Sequence, residues 1–106
     1  MTEKQKLITK LRMTNHVYHT DAGHGWLKVS LADIKTLEIT DQISGFSYQN
    51  AGQVYLEEDL DAITYLKALF PMGFQTEMYR MFEKVYVSEV YDGDESKIRH
   101  FKSYSK

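Results

Sequence analysis

The chain has 106 residues, a length typical of one domain that buries a modest core of its own. Its 42% hydrophobic and 13% aromatic residues exclude a disordered chain, and the lack of cysteine excludes disulfides and thiolate chemistry. The formal net charge of -2 lacks the basic footprint of a protein that binds nucleic acid non-specifically, so we expect a single domain over residues 1–106 without direct nucleic-acid binding.

The sequence also bears on membranes and secretion. No apolar run approaches the roughly 20 residues that a membrane span needs. Residues 1–10 lack the apolar core of a signal peptide. We therefore expect a cytoplasmic protein that has no membrane partner.

The first segment, residues 2–10, is polar and basic, and it is expected to be a frayed arm or the start of the first strand. That strand is predicted from apolar residues at alternate positions, namely Leu11, Met13 and Val17. They would form one buried face of a strand that ends near His19.

Residues 20–25 contain two glycines and are predicted to form a loop. A second short strand follows, with apolar residues Trp26, Leu27 and Val29, and we expect Trp26 to lie in the core. Ser30 then begins a predicted helix over residues 31–37, because Ser30 and Asp33 form a variant of the capping box.

The clearest local pattern lies in residues 43–69, which predict a strand, a tight turn, a second strand and a helix. Phe46 and Tyr48 alternate with polar residues, as in a half-buried strand. Residues 50–52 contain Asn and Gly, which tolerate the positive φ of a short hairpin turn. A helix is predicted over residues 60–70, where apolar residues recur three and four apart.

The acidic residues before this helix have two interpretations. Hard divalent cations bind several carboxylate oxygens, and four acids are available: Glu57, Glu58, Asp59 and Asp61. The favoured interpretation is that Asp59 caps the helix while the other acids complement its dipole, because capping alone explains these residue types.

The C-terminal part is predicted to contain two more strands. Residues 79–91 show strand alternation, although residues 75–84 also fit a helix, and both interpretations stay open there. Asp92 and Gly93 are a hairpin signal that predicts pairing with a last strand over residues 98–103. The predicted fold class is therefore α+β, a twisted, mostly antiparallel sheet with two helices on one face.

His16, His19 and His24 lie within nine residues of one another. Imidazole is a common metal ligand, but this spacing matches no metal signature, and the first two would point to opposite faces of a strand. We therefore predict no metal and no cofactor.

A nucleophile motif and a phosphate loop are also missing, so no catalytic residue is predicted. The candidate ligand loop consists of His19, Asp21, Gly23, His24 and Gly25.

Arg99 also has two interpretations. Its guanidinium can bind an acidic group of a partner, or it can pair inside the fold with Glu57 or Glu58. The internal pairing is favoured.

Several motifs together resemble those of a known group of proteins. They are AGHGWLKV at residues 22–29, SYQ around Tyr48, YLEED at residues 55–59 and IR at residues 98–99. With this combination, residues 14–70 and 97–104 resemble small, functionally uncharacterised proteins encoded on bacterial phages, plasmids and integrative elements. The resemblance implies an accessory protein of a mobile element that blocks host defence, a class to which anti-CRISPR proteins belong. It supplies no catalytic residues.

We therefore predict a non-enzymatic protein that binds and inhibits a component of host defence, for example a CRISPR effector. The predicted partner-binding residues are aromatic and charged: Tyr79, Arg80, Phe82, Lys84, Tyr86 and Arg99. One alternative is a metal-dependent hydrolase that uses the histidines of residues 16–24. Another is a regulatory module associated with nucleic acid through a basic patch of Lys97, Arg99, His100, Lys102 and Lys106.

Overall fold

Six strands form one mixed sheet in the computed structural model, which describes residues 1–71 and 83–106. The strands are β1 (Asn15–Thr20), β2 (Gly25–Ser30), β3 (Tyr48–Asn50), β4 (Gln53–Glu57), β5 (Tyr86–Tyr91) and β6 (Lys102–Ser103). Their order across the sheet is β5-β1-β2-β4-β3-β6. Neighbouring strands are antiparallel except β1 and β5, which are parallel. The predicted α+β fold with a mostly antiparallel sheet is confirmed.

Three helices pack on one face of this sheet in the described residues, where the sequence predicted two. They are α1 (Glu3–Arg12), α2 (Leu31–Thr36) and α3 (Asp61–Leu69). As predicted, Ser30 caps α2, and its side chain accepts a hydrogen bond from the N–H of Ala32. The predicted helix over residues 60–70 is confirmed as α3.

Helix α1 replaces the predicted frayed arm or strand start at residues 2–10, so that prediction is wrong. Its first turn closes a capping box, in which Thr2 Oγ1 accepts from the N–H of Gln5 at 3.1 Å and Gln5 Oε1 accepts from the N–H of Thr2 at 2.9 Å. Leu11 is buried as part of this helix. Arg12 Nε donates a 2.7 Å hydrogen bond to the carbonyl of Leu69, which ties α1 to α3.

The main core lies between the helices and the sheet. The helices and strands contribute a shared set of buried side chains: Leu11, Leu27, Val29, Ile34, Val54, Leu56, Ala62, Tyr65, Leu66 and Leu69. Full burial of one such side chain stabilises a fold by about 1.5–3 kcal/mol. The packing of this layer therefore holds the helices on the sheet.

The predicted hairpin is present as β3 and β4, with Asn50 paired to Gln53. The turn residues Ala51 and Gly52 have φ values of 50° and 80°, the positive φ that a two-residue hairpin loop requires. Ala51, rather than Asn50, therefore takes the strained position. Phe46 does not belong to the strand, and its side chain is 72% exposed, contrary to the predicted alternation.

The acidic residues before α3 do not cap it as predicted. The N-cap position is Leu60, and no side chain in residues 1–71 or 83–106 caps this helix. Asp61 is fully buried instead. Its carboxylate accepts hydrogen bonds from the N–H and hydroxyl of Ser44, at 3.0 and 2.6 Å, and from the hydroxyl of Ser47 at 2.5 Å. Asp61 thus fixes the loop that leads into β3.

The chain after β5 does not form the predicted hairpin. Gly93 turns with a φ of 89°, but residues 97–100 form a 3-10 helix where a strand was predicted. Strand β6 then pairs with β3 at the opposite edge of the sheet. The C-terminal segment therefore crosses the face of the sheet that the helices leave open, and among the described strands β5 pairs with β1 alone.

This crossing creates a second, smaller core. Trp26, Tyr55 and Ile98 are buried there, and Tyr48 and Phe101 pack against them. The rings of Tyr55 and Phe101 are 5.2 Å apart between centroids. The predicted burial of Trp26 is confirmed.

Truncation of either core should destabilise the fold. We expect Leu66→Ala and Trp26→Ala each to lower the free energy of unfolding by roughly 2–5 kcal/mol, because both side chains are buried. Urea denaturation measures this change, and Phe46→Ala, at an exposed position, is the matched control. Core variants that unfold at the same urea concentration as the parent would contradict this packing.

Candidate functional site

The buried carboxylate of Asp21 organises the loop between β1 and β2. Its Oδ1 accepts hydrogen bonds from the N–H groups of Gly23 and His24, both at 2.9 Å. Its Oδ2 accepts a 2.8 Å hydrogen bond from the N–H of Ser96. Arg99 donates to both oxygens, with Nε at 2.5 Å and Nη2 at 2.8 Å. One side chain thus joins this loop to the C-terminal segment.

The predicted internal pairing of Arg99 is confirmed, but its partner is Asp21 rather than Glu57 or Glu58. The guanidinium also lies over the ring of Trp26, 5.4 Å from the centroid. About 30% of the Arg99 side chain is exposed. Contact between this exposed part and a partner stays a prediction.

The ion pair makes the loop sensitive to acid. The Arg99 guanidinium, together with the N–H donors of the loop and of Ser96, holds the pKa of the Asp21 carboxyl well below its usual range. In the unfolded chain an aspartate titrates near about 3.9. The stabilisation from Asp21 is therefore complete above that pH and is lost as the pH falls below it.

Gly25 allows two side chains to approach the backbone at the start of β2. A Cβ at this position would collide with the Tyr18 hydroxyl and would lie 2.9 Å from Oε2 of Glu58. The Tyr18 hydroxyl donates a hydrogen bond to this same carboxylate. From the sequence, Gly25 is expected to allow a tight turn or the close approach of a ligand. In the structure, the protein's own side chains occupy the space beside Gly25.

His24, Glu57 and Glu58 come together at the end of the sheet. One potential metal-ligating atom of each lies within 4.8 Å of the others, and His24 is exposed while the two glutamates are half-buried. Burial, together with the negative charges of Asp59, Glu58 and Asp61, raises the pKa of the Glu57 carboxyl above its usual range. A histidine from the predicted ligand loop thus meets two residues of the acidic segment.

His16 and His19 do not belong to this group. His16 Nε2 lies 2.7 Å from the hydroxyl of Tyr65, on the helix side of β1. His19 Nδ1 lies 3.1 Å from Oδ2 of Asp92, on the other side. The predicted opposite orientation of these two histidines is confirmed. His16 and His19 therefore cannot bind the same metal ion from their positions in β1.

A cavity of about 220 Å³ lies beside the start of β1. Its polar lining includes Thr14, His16, Ser30, Asp33 and Tyr65. The buried Nδ1 of His16 has no hydrogen bond of good geometry in the described chain. Burial lowers the pKa of His16, although the nearby backbone of Thr14 and Tyr86 and the charge of Asp33 offset this in part.

Apart from Arg99, the predicted partner-binding residues fall in two groups. Tyr79, Arg80 and Phe82 lie outside the described residues. Lys84 and Tyr86 are exposed, and Tyr86 is the first residue of β5.

Comparisons of the chain with protein-family models, curated proteins and solved structures find no match. Within residues 1–71 and 83–106, none of the helices has the length and apolar character required to cross a membrane.

The buried His16 should make stability depend on pH near neutrality. An unfolded histidine titrates near about 6.5, and burial opposes protonation of the folded one. The stabilisation is thus present above that pH and is lost as the pH falls toward about 5. We expect His16→Gln, whose amide can still contact Tyr65, to show a flatter dependence in urea unfolding over this range. Parallel stability curves for the parent and His16→Gln would contradict the prediction.

Proposed function

We propose that this protein is a non-enzymatic binding protein that occupies a surface of a protein partner through strand β5. One observation carries the proposal, the exposure of large apolar side chains on a strand at the edge of the sheet. Tyr86, Val90 and Tyr91 are 65%, 40% and 64% exposed. Tyrosine is enriched at protein interfaces, and edge strands present backbone groups to which another chain can bind.

The position of β5 supports this assignment. It pairs with β1 on one side, and on its other side no strand of the described chain is paired with it. The register places Tyr86 beside Asn15 and Val90 beside His19, so both side chains project from the face opposite the helices. Asn15 Nδ2 also donates a 2.8 Å hydrogen bond to the hydroxyl of Ser88. Tyr86 and Val90 thus form one row along a fixed strand, whereas Tyr91, one residue further on, projects from the other face.

The partner is a component of host defence that meets this protein in the cytoplasm, and a CRISPR effector is the class to test first. The resemblance of residues 14–70 and 97–104 to accessory proteins of mobile elements supports this choice. The exposed edge strand supports the β5 surface, and the resemblance supports the partner class. Either part of the proposal can therefore be wrong while the other is right.

A regulatory role with nucleic acid has weaker support because most of its basic patch is paired with acids. Arg99 binds Asp21, as described above. His100 Nε2 lies 3.2 Å from Glu95, and Lys106 Nζ lies 2.5 Å from Asp41. These pairs offset much of the positive charge that phosphate binding requires.

Removal of the exposed β5 side chains should weaken binding without unfolding the protein. We expect the double variant Tyr86→Ala/Val90→Ala to bind a purified effector at least roughly tenfold more weakly, because truncation of an interface anchor commonly costs above about 1–2 kcal/mol. Inhibition of target cleavage and the Kd are measured together, with the melting temperature as the check on folding.

Phe46→Ala is the matched control, since Phe46 is an exposed aromatic residue beside β3, far across the sheet from β5. It should bind as the parent does. Equal binding by the β5 double variant would contradict the proposed surface. Absence of binding by the parent across a panel of CRISPR effectors would contradict the partner class.

A further inference from the structure

Three side chains from two separate segments converge where β2 and β4 meet. His24 precedes β2, Glu57 is the last residue of β4 and Glu58 follows it. Glu57 pairs in register with Trp26, and the N–H of Glu58 donates a 3.1 Å hydrogen bond to the carbonyl of Gly25. The sheet itself therefore places the two carboxylates next to the histidine.

Each of these three residues is also held by a hydrogen bond to a neighbouring group. The Tyr18 hydroxyl donates to Oε2 of Glu58, and the N–H of Asp59 donates to Oε2 of Glu57 at 3.1 Å. The backbone of His24 is fixed by its 2.9 Å hydrogen bond to Asp21. Such outer contacts orient the ligands of metal sites, and their loss typically lowers metal affinity by about 10–100-fold.

We propose that His24, Glu57 and Glu58 bind one Zn²⁺ ion. One atom of each side chain already lies within 4.8 Å of the others, a spacing that ligands around a single metal can share. Imidazole nitrogen with carboxylate oxygen is a ligand set of zinc, whereas Ca²⁺ and Mg²⁺ prefer oxygen alone. The cation also offsets the repulsion among the neighbouring acids.

Three protein ligands on an exposed surface leave one coordination position open to solvent. Three protein ligands are typical of reactive zinc sites, whereas structural zinc sites usually have four protein ligands. This proposal differs from the prediction of no metal, which rests on the spacing of the three histidines in the sequence. It does not depend on partner binding at β5.

The test is calorimetric titration of Zn²⁺ into tag-free, chelator-treated protein. We expect one ion per chain, and His24→Ala and Glu58→Gln should each weaken binding at least roughly tenfold. Tyr18→Phe retains all three ligands but removes the hydroxyl that orients Glu58, so its affinity should fall by about 10–100-fold. His100→Ala is the matched control, because His100 is an exposed histidine that pairs with Glu95 outside the site.

Co²⁺ provides a second readout that reports the ligands directly. The cobalt-loaded protein should show visible absorption bands of a low-coordinate site, and these bands should be lost in His24→Ala. His24 is exposed, so this variant should keep the parental melting temperature. Three results would each overturn the proposal. They are an unchanged Zn²⁺ affinity in His24→Ala, binding of Mg²⁺ or Ca²⁺ that is as tight as that of Zn²⁺, and a parent protein that binds no Zn²⁺.

Discussion

The buried carboxylate of Asp21 is the interaction on which the surface of this protein depends. Five donor contacts reach it, from the loop before β2 and from the C-terminal segment that contains Ser96 and Arg99. A buried carboxylate is stable only when it is paired and hydrogen-bonded, so both segments must be in place together. The same pairing brings Ile98 onto Trp26 and closes the smaller core.

Two candidate surfaces lie on either side of this arrangement. The loop held by Asp21 places His24 beside the glutamates at the end of β4. The crossing of the C-terminal segment covers the part of the sheet near Tyr55 and leaves the row of Tyr86 and Val90 exposed at the β5 edge. Asp21 thus helps to position His24 among the potential metal ligands, whereas the pairing of β5 with β1 holds the apolar edge in place.

Short sequence patterns predicted those helices and strands that are determined by residues close together in the chain. The β3–β4 hairpin follows from a turn that requires positive φ at Gly52, and α3 follows from its apolar stripe. The polar and basic composition of residues 2–10 does not indicate helix α1, although Thr2 and Gln5 carry the capping-box spacing. Recognition of that spacing would have predicted the third helix.

Contacts between distant residues could not be predicted in this way. Asp21 and Arg99 are 78 positions apart, and nothing in the local sequence distinguishes Asp21 from Glu57 as the partner of the guanidinium. The parallel pairing of β5 with β1 likewise depends on the path of the chain around the sheet. The sequence therefore indicated His24 and the acidic segment as two separate candidates for ligand binding. Only the folded structure shows that they lie side by side.

Hydrogen exchange at single amides tests the role of Asp21 most directly. The N–H groups of Gly23, His24 and Ser96 all donate to its carboxylate, so they should exchange slowly in the parent protein. In Asp21→Asn the three amides should accelerate together, by a larger factor than the amides between β2 and β4. If the loop amides exchange faster while the Ser96 amide still exchanges slowly, the account is contradicted, because the two segments would then be held independently.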